Sequence, residues 1–287
     1  DENRMINGFT DYEELTRTRR LIMRSYKLPG NRLRLLHPNE NRGAVTIDEE
    51  RDYHFRYVLE DNFGNRRTYQ FIVKGKRQDI PEYKPEANEM LYWNRTNVIQ
   101  KPGMELVVPR YYVYEDVPLR TDMRGDSSHI AFDYILDAGR TPIHSYCDLS
   151  IGLRHMPVAD TTKYYIVQKA GKWRSSMGGK YANGWIKTRV RSLGTFSVDV
   201  DTIAPQITPI GQGGWRTSRN IRFRRKDVES GIGSYKVYID GKFVLFGLKK
   251  GILVIQNPEK VKKGVSHKLE VTVTDQCGNM TRKEYKF

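Results

Sequence analysis

The amino-acid sequence predicts an all-β fold of tandem antiparallel β-sandwich domains, immunoglobulin-like at the C-terminus, with one short helix near the N-terminus. Three observations support this prediction. Most of the 287 residues fall into short runs that alternate apolar and polar side chains, as strands with one buried face do. Gly, Asn and Pro separate these runs, as expected for turns. Finally, one turn sequence, Asp-x-x-Gly-Asn, occurs twice, at 61–65 and at 275–279.

One segment has helical periodicity instead. In "TDYEELTRTRRLIMRSY", Thr10 and Glu13 are spaced as a capping box, which is typical of a helix N-terminus. We therefore expect a short helix near residues 11–19. After Pro29-Gly30 the pattern changes to a period of two.

This alternation predicts N-terminal strands at 31–37, 43–48, 53–61 and 66–75. The last two flank Gly64-Asn65, residues that accept positive φ and can reverse the chain, so they predict a hairpin. The N-terminal unit contains only the later half of the pattern seen at the C-terminus. Residues 1–78 are therefore interpreted as a partial immunoglobulin-like sandwich, either cut from a longer parent or borrowing an edge strand from the next domain.

Two proline-containing segments divide the remainder. Pro81 and Pro85 predict an extended connector, and Pro205 and Pro209 predict a second boundary. The resulting units are a central β-sandwich at 79–202 and an immunoglobulin-like domain at 203–287. Asp240-Gly241 favours a tight hairpin in the last unit. The repeated turn is interpreted as the closing hairpin of two related sandwiches.

The charge of the chain indicates its partners. Lys and Arg number 49 against 34 Asp and Glu, a net charge of +15, which favours association with an anionic partner. The basic residues are dispersed along the chain, which argues against nucleic acid. No apolar run approaches the ~20 residues of a membrane helix, so no transmembrane segment is predicted. The chain opens on Asp1, so we expect a processed product or part of a longer protein.

The residue types that carry catalysis do not form a motif. None of the six histidines stands in an H-x-H pair or an H-E-x-x-H motif. His144 and Asp148 have the gap of one zinc-peptidase pair, but without a third ligand His144 is interpreted as a loop or strand-edge residue. We expect no catalytic residue and no metal ligand in this chain. Cys147 and Cys277 are expected to be buried, unpaired thiols.

Acidic residues suggest one alternative to this view. Asp199, Asp201, Glu229 and Asp275 would be able to gather at a domain junction and bind calcium. Five arginines between 216 and 225 would oppose a cation there. We therefore favour salt bridges over a calcium site.

The best candidate for a ligand-binding surface is the stretch "GKWRSSMGGKYANGW" at 171–185. Aromatic rings beside cations can stack on sugars or bases while the charge holds an anionic group. The candidate residues are Trp173, Arg174, Lys180, Tyr181 and Trp185. The alternative, which we favour, is that Trp185 starts a buried strand and the rest is a mobile turn.

Four stretches, taken in order, carry a family resemblance: "TDYEEL…RSYKLPGNRLRLL", "EERDYHFRYVLEDNFGNRRTYQFIVKG", "TNVIQKPGMELVVPRYYVYEDVPL" and "SGIGSYKVYIDGKFVLFG…VTVTDQCGNMTR". The chain resembles the C-terminal accessory region of lysostaphin/LytM-type zinc metallopeptidases of Gram-negative anaerobic bacteria. The resemblance implies an upstream peptidase domain that cuts peptidoglycan with an H-x-x-x-D and H-x-H zinc site. The H-x-H pair is missing from this chain, and His144 and Asp148 do not fall in a peptidase-like context. Zinc is therefore expected only in the missing upstream domain, and no cofactor is expected here.

The resulting functional expectation is a non-catalytic accessory or scaffolding region of a peptidoglycan-directed metalloendopeptidase in the cell envelope. Its expected partners are an anionic cell-envelope polymer, peptidoglycan or other envelope proteins. The alternative is a free-standing adhesion or glycan-binding protein that uses residues 171–185. A third reading is a hydrolase with a site that sequence does not reveal.

Overall fold

The structure is a computed structural model that describes residues 2–82, 84, 86–137, 139, 141–256 and 265–287. The helical elements are α1 (Glu2–Met5), α2 (Tyr12–Thr18) and 3-10 turns at Ile6–Phe9, Thr161–Lys163 and Gln212–Gly214. The strands are β1 (Asp52–Glu60), β2 (Arg66–Lys74), β3 (Glu89–Leu91), β4 (Asn97–Lys101), β5 (Met104–Val108), β6 (Val117–Arg124), β7 (Asp133–Asp137), β8 (Cys147–Gly152), β9 (Tyr164–Ala170), β10 (Trp173–Ser176), β11 (Lys180–Ala182), β12 (Trp185–Val190), β13 (Gly194–Val200), β14 (Gln206–Ile210), β15 (Asn220–Lys226), β16 (Ile232–Ile239), β17 (Lys242–Phe243), β18 (Phe246–Lys249), β19 (Ile252–Gln256), β20 (Lys268–Asp275) and β21 (Met280–Lys286). The predicted all-β, antiparallel fold with a helix near the N-terminus is confirmed.

The central sandwich packs a six-stranded sheet, β10-β9-β13-β7-β6-β3, against a five-stranded sheet, β11-β12-β8-β5-β4. Its strands show the alternation expected from the sequence: β5 buries Met104, Leu106 and Val108 and leaves the residues between them half exposed. Side chains from both sheets fill one continuous core, which includes Tyr134 and Phe196. Burial of this apolar surface is the main stabilising contribution to the sandwich.

The C-terminal sandwich has two four-stranded sheets, β14-β15-β19-β18 and β17-β16-β20-β21. This is the strand order of an immunoglobulin-like fold, with strands A, B, E and D in one sheet and C, F and G in the other, where the short β17 is added beside strand C. Trp215 lies fully buried in the core, where its ring contacts Phe223 and Tyr285. The Asp240-Gly241 hairpin forms as predicted, with both residues at positive φ.

The N-terminal unit differs from its prediction. The 53–61 and 66–75 strands form the predicted hairpin as β1 and β2, in register from Asp52 opposite Lys74 to Glu60 opposite Arg66. These strands form a two-stranded sheet of their own, and the described residues before position 79 contain no other sheet. The predicted partial sandwich is therefore wrong, and the first copy of the repeated turn caps a ribbon. Phe55 and Phe71 stack across this ribbon with ring centroids 5.0 Å apart.

The strands predicted at 31–37 and 43–48 are also wrong, because this segment is irregular. Its start is fixed by contacts to the central sandwich and to α1 instead of by strand pairing. The backbone amide of Gly30 donates to the carbonyl of Tyr114 at 2.6 Å, and Asn31 donates to the carbonyl of Met5 at 2.9 Å. Leu33 packs in a small cluster with Tyr114. Alternation alone predicted strands here, but no neighbouring strand is present to pair with them.

The predicted helix forms at Tyr12–Thr18, within the expected range, but its N-cap differs from the prediction. The side chain of Asp11 accepts the hydrogen bond from the amide of Glu14 at 2.9 Å. Thr10, the predicted cap, instead forms an isolated bridge with Met23. Both residue types are good N-caps, so the sequence did not separate them.

Candidate functional site

Three buried or half-buried aspartates meet where the two sandwiches join. Asp201 follows β13, Asp227 follows β15 and Asp275 ends β20. Each offers a carboxylate oxygen that lies within 4.8 Å of the others. Asp201 and Asp275 are 0% and 4% exposed, which is rare for carboxylates unless they are hydrogen-bonded. We refer to these three residues as the acidic junction.

Asp201 connects the two domains directly. One carboxylate oxygen, Oδ2, accepts from the backbone amide of Ser230 at 3.0 Å and also from its hydroxyl. The other oxygen, Oδ1, accepts from the amide of Ile203 at 2.9 Å. Since Asp201 follows the last strand of the central sandwich and Ser230 belongs to the C-terminal one, these bonds tie the two units together.

Asp275 organises the second copy of the repeated turn. Its Oδ1 accepts from the amides of Cys277 and Asn279 at 2.9 and 2.8 Å, and its Oδ2 accepts from the Asn279 side chain at 2.8 Å. The Asn279 side-chain amide also donates to the backbone carbonyl of Asp201 at 3.0 Å. Asn279 therefore bridges the turn of one domain to the final residue of the other.

Asp227 and the nearby Glu229 have raised pKa values in this arrangement. Burial raises the pKa of Asp227, and the charges of Asp201 and Asp275 add to the effect. Burial also raises the pKa of Glu229, and the charges of Asp201 and of the other acidic neighbours raise it further. Both shifts follow from moving an anion out of water and placing it beside other anions.

Of the four acidic residues for which salt bridges were favoured, Asp199 forms one and the other three do not within the described residues. In the described part of the chain, Asp201, Glu229 and Asp275 pair with no Lys or Arg, and their hydrogen-bond donors are neutral. Asp199 does form an ion pair, but with Arg174 at 2.6 Å. Arg222 and Arg224 do not pair with these carboxylates, because both arginines lie on the exposed face of β15, whereas the carboxylates lie at the domain junction.

Two further contacts complete the junction. Cys277 packs with Tyr165 and Val167 of β9 in a small buried cluster. The Lys163 ammonium donates to the carbonyl of Cys277 at 3.0 Å. Both cysteines are unpaired and buried, as the sequence predicted, and burial raises the pKa of Cys147 to about 12 and that of Cys277 to about 11.

The acidic junction is the group of described side chains that could offer oxygen ligands to a metal ion. Calcium takes six to eight oxygens. However, both oxygens of Asp201 and of Asp275 already accept hydrogen bonds from amide or hydroxyl groups. The geometry therefore indicates a structural role, in which hydrogen bonds from neutral donors to the buried carboxylates connect the two domains.

The structure distributes the predicted ligand-binding residues over two sheets. Trp173 and Arg174 lie on β10, at the edge of the six-stranded sheet, whereas Lys180 and Tyr181 lie on β11, at the edge of the five-stranded sheet. Trp173 is 81% exposed, and Tyr181 is 37% exposed. No ring contact joins these aromatics within the described residues, so the structure does not bring them into one platform.

Two of those residues have structural contacts. Arg174 is held by its ion pair with Asp199. Trp185, on β12, is half-buried and lies opposite Gly152 of β8. The favoured alternative for Trp185, the start of a largely buried strand, agrees with these positions.

The histidine of the weak zinc pair is a packing residue. His144 lies in the loop before β8 and is buried, and its Nδ1 lies 3.0 Å from the hydroxyl of Tyr114. Burial lowers the pKa of His144. Asp148 is exposed on β8, opposite Arg189. The pair therefore does not converge.

Sequence reasoning named Asp201, Glu229 and Asp275 as residues that would be able to meet, but it missed Asp227, Ser230 and Asn279. Only the repeated turn hinted at Asn279, since the same Asp and Asn recur in both copies. Nothing in the sequence indicated that Ser230 would contact Asp201, because 29 positions separate them.

Comparison with known proteins adds one similarity. Residues 88–201 match a Zu5-like domain. This segment spans the strands of the central sandwich and ends at Asp201 of the acidic junction. No curated protein matches the chain. The resemblance to lysostaphin/LytM-type peptidases stays a prediction. Among the described residues, no helix is long and apolar enough to cross a membrane.

Proposed function

We propose that this chain is a non-catalytic accessory and scaffolding region of a peptidoglycan-directed zinc metallopeptidase of the cell envelope. It holds the enzyme or its substrate in position, while zinc and the catalytic groups belong to an upstream domain. The proposal rests on the sequence resemblance and on the +15 charge of the chain. A basic surface near an anionic polymer raises the local concentration of substrate without chemistry.

The observation that carries the scaffolding role is the acidic junction. A role in positioning requires that neighbouring modules keep one relative orientation. Domain interfaces within a chain are often loose. Here the interface contains buried charged groups with directional hydrogen bonds from Ser230 and Asn279. Such bonds fix the angle between two sandwiches more strictly than apolar contact does.

The test is co-sedimentation of the chain with purified peptidoglycan sacculi, with release of soluble fragments measured in parallel. We expect the chain to sediment with sacculi and to release nothing. Release of fragments would contradict the non-catalytic role. Failure to sediment would contradict a role in positioning substrate.

A second candidate function is glycan binding through the 171–185 hairpin, favoured by the 81% exposure of Trp173. If it holds, Trp173→Ala with Tyr181→Ala abolishes retention on glycan and leaves the thermal transition unchanged. Phe63→Ala is the matched control, because Phe63 is also an aromatic side chain, 91% exposed, on a different unit. Retention by the double variant would reduce the hairpin to a structural element.

A further inference from the structure

The two outer faces of the C-terminal sandwich differ in how their charges are arranged. On the sheet β17-β16-β20-β21, Lys268 pairs with Glu270 and Glu284, and Arg282 pairs with the same two glutamates. These four charges neutralise one another, and the exposed lysines 236, 283 and 286 of that sheet lie beside this acidic pair. The opposite sheet, β14-β15-β19-β18, has no acidic residue in any of its four strands.

This acid-free sheet exposes a row of cations along β15. Arg222, Arg224 and Lys226 alternate with buried or half-buried residues and are all exposed. Side chains two apart on a strand lie about 7 Å from each other, so the row spans roughly 13 Å. Lys249 of β18 faces the same way, since it is opposite Ile252, which in turn is opposite Arg224. We name Arg222, Arg224, Lys226 and Lys249 the basic face.

Among the residues that the structure describes, the cations of the basic face have no internal partner. Within the described residues, none of the four forms a salt bridge or a side-chain hydrogen bond. Arg225, which points to the interior side of β15, does have one, because its guanidinium donates to the hydroxyl of Tyr235. Four cations on one face of a sheet, without a partner among the described residues, produce a positive potential that attracts an anionic partner.

The residues around this row indicate which anion fits. Across β14, Gln206 lies opposite Lys226 and Thr208 lies opposite Arg224. At the other end of β15, Asn220 lies opposite Gln256. Amide and hydroxyl side chains thus lie beside the cations on β14 and at the end of β15, whereas Val254 and Ile252 lie opposite Arg222 and Arg224 on β19. Amides and hydroxyls hydrogen-bond to sugar hydroxyls. No aromatic side chain projects from this face, so the stacking platform used for single-stranded nucleic acid is missing.

We infer that the basic face binds an acidic polysaccharide, with the cations holding its carboxylate or phosphate groups and the neutral side chains holding its hydroxyls. The inference rests on the proposed function, because it names the surface through which the chain contacts anionic envelope polymer. It places the main contact on the basic face instead of the predicted hairpin at 171–185, where Arg174 is paired with Asp199.

The test compares two triple variants of the whole chain that remove the same charge. One carries Arg222→Gln, Arg224→Gln and Lys226→Gln. The control carries Lys236→Gln, Lys283→Gln and Lys286→Gln, three exposed lysines of the opposite sheet. Polygalacturonate is the polysaccharide probe, and binding is measured by calorimetry at several salt concentrations.

We expect the basic-face variant to lose about tenfold or more in affinity and to show a weaker salt dependence. The control should stay within about threefold of the unmodified chain. Equal losses in both variants would show an effect of net charge alone and would overturn the inference. So would unchanged binding by the basic-face variant.

Two further probes separate the acidic polysaccharide from other polyanions. A single-stranded DNA oligonucleotide and phosphatidylglycerol-containing vesicles should bind more weakly than polygalacturonate, and tighter binding of either at the basic face would overturn the inference. The sacculus assay separates this inference from the proposed function. If the basic-face variant keeps its polysaccharide affinity while the unmodified chain sediments with sacculi, only the inference fails.

Discussion

The two Asp-x-x-Gly-Asn turns have matching hydrogen bonds in contrasting surroundings. Asp61 accepts from the amides of Phe63 and Asn65 and from the Asn65 side chain. Asp275 accepts from the equivalent groups of the second turn. The glycines adopt φ of 82° and 80°. Local sequence therefore builds the turn without help from the rest of the fold.

The surroundings decide what each turn does. In the first copy, Phe63 is 91% exposed at the tip of the ribbon. In the second, the equivalent residue, Cys277, is 2% exposed against β9, and Asn279 makes an additional bond to Asp201. One motif thus serves as a chain reversal in one place and as part of a domain junction in the other.

The largest expected effect is that of Asp275→Ala. Removing this carboxylate leaves two backbone amides and the Asn279 side chain without their acceptor in a buried site. We expect the free energy of unfolding to fall by about 3 kcal/mol. Urea unfolding followed by tryptophan fluorescence measures the change.

The matched control is Asp61→Ala, which removes the same bonds from the exposed turn. It should leave the midpoint of the main transition unchanged, because water replaces the carboxylate as the acceptor there. If both variants were destabilised alike, the contrast between the two turns would be wrong.

The next effect concerns the bridging amide. Asn279→Ala removes the bond to the Asp201 carbonyl and one bond to Asp275, at an expected cost of about 2 kcal/mol. The loosened junction should also expose the thiol of Cys277. Reaction with a thiol reagent at pH 8 should therefore become faster at Cys277 in this variant than in the unmodified chain.

Cys147 serves as an internal control for that experiment, because it lies in the core of the central sandwich. Its reaction rate should not change. Asn65→Ala, the equivalent change in the ribbon, should affect neither thiol. Faster reaction of both cysteines would indicate global destabilisation instead of local opening at the junction.

A smaller effect compares the two glycines. A methyl group added at either glycine would meet no neighbouring heavy atom within 4 Å, so Gly64→Ala and Gly278→Ala differ little in steric terms. Each places a Cβ at positive φ, at a local cost of about 1 kcal/mol. We expect Gly278→Ala to lower the main unfolding midpoint. Gly64→Ala should lower only the hydrogen-exchange protection of the β1–β2 amides.

The smallest effect is a gain in stability. The pKa of Asp227 is raised, so the folded state holds its proton more tightly than the unfolded state does, and ionisation weakens the fold. This cost is fully present above the raised pKa and disappears as the pH falls below the ordinary value. Asp227→Asn should therefore stabilise the chain slightly at pH 7, and the gain should vanish on acidification.

The pKa of Asp61 is shifted in the opposite direction. Its pKa is lowered, chiefly by the Asn65 side chain and then by backbone amides, so its favourable contribution is present at neutral pH and is lost on acidification. The prediction for Asp227 is tested by measuring thermal midpoints of Asp227→Asn and of the unmodified chain from pH 7 downward. A gain that grew on acidification would contradict the argument.

Several elements were predictable because they depend on neighbouring residues. The β1–β2 hairpin, the Asp240-Gly241 hairpin and the buried alternation of β5 follow from turn chemistry and strand period. The segment 31–48 was predicted wrongly because the prediction there also relied on strand period alone. Its alternation was real, but a strand needs a partner. Gly30 is bonded to the central sandwich instead, and Asn31 is bonded to Met5 of α1.

The candidate site was less predictable. The sequence brought Asp201, Glu229 and Asp275 under consideration, yet the arginine count wrongly favoured salt bridges. Arg222 and Arg224 are close to Asp227 along the chain, but strand alternation turns them to the outer face of the sheet. Charge counted along a sequence does not say which side of a sheet the charge lies on.

Taken alone, the sequence determined the all-β class, the repeated turn and the net positive charge, because each depends on residue identity and short-range spacing. Only the tertiary structure decided that one turn stays in water while the other locks two domains. It also decided that the outward-facing cations of β15 have no partner among the described residues. Both outcomes depend on contacts between residues far apart in the chain, and local patterns carry no information about which distant donor a buried carboxylate will meet.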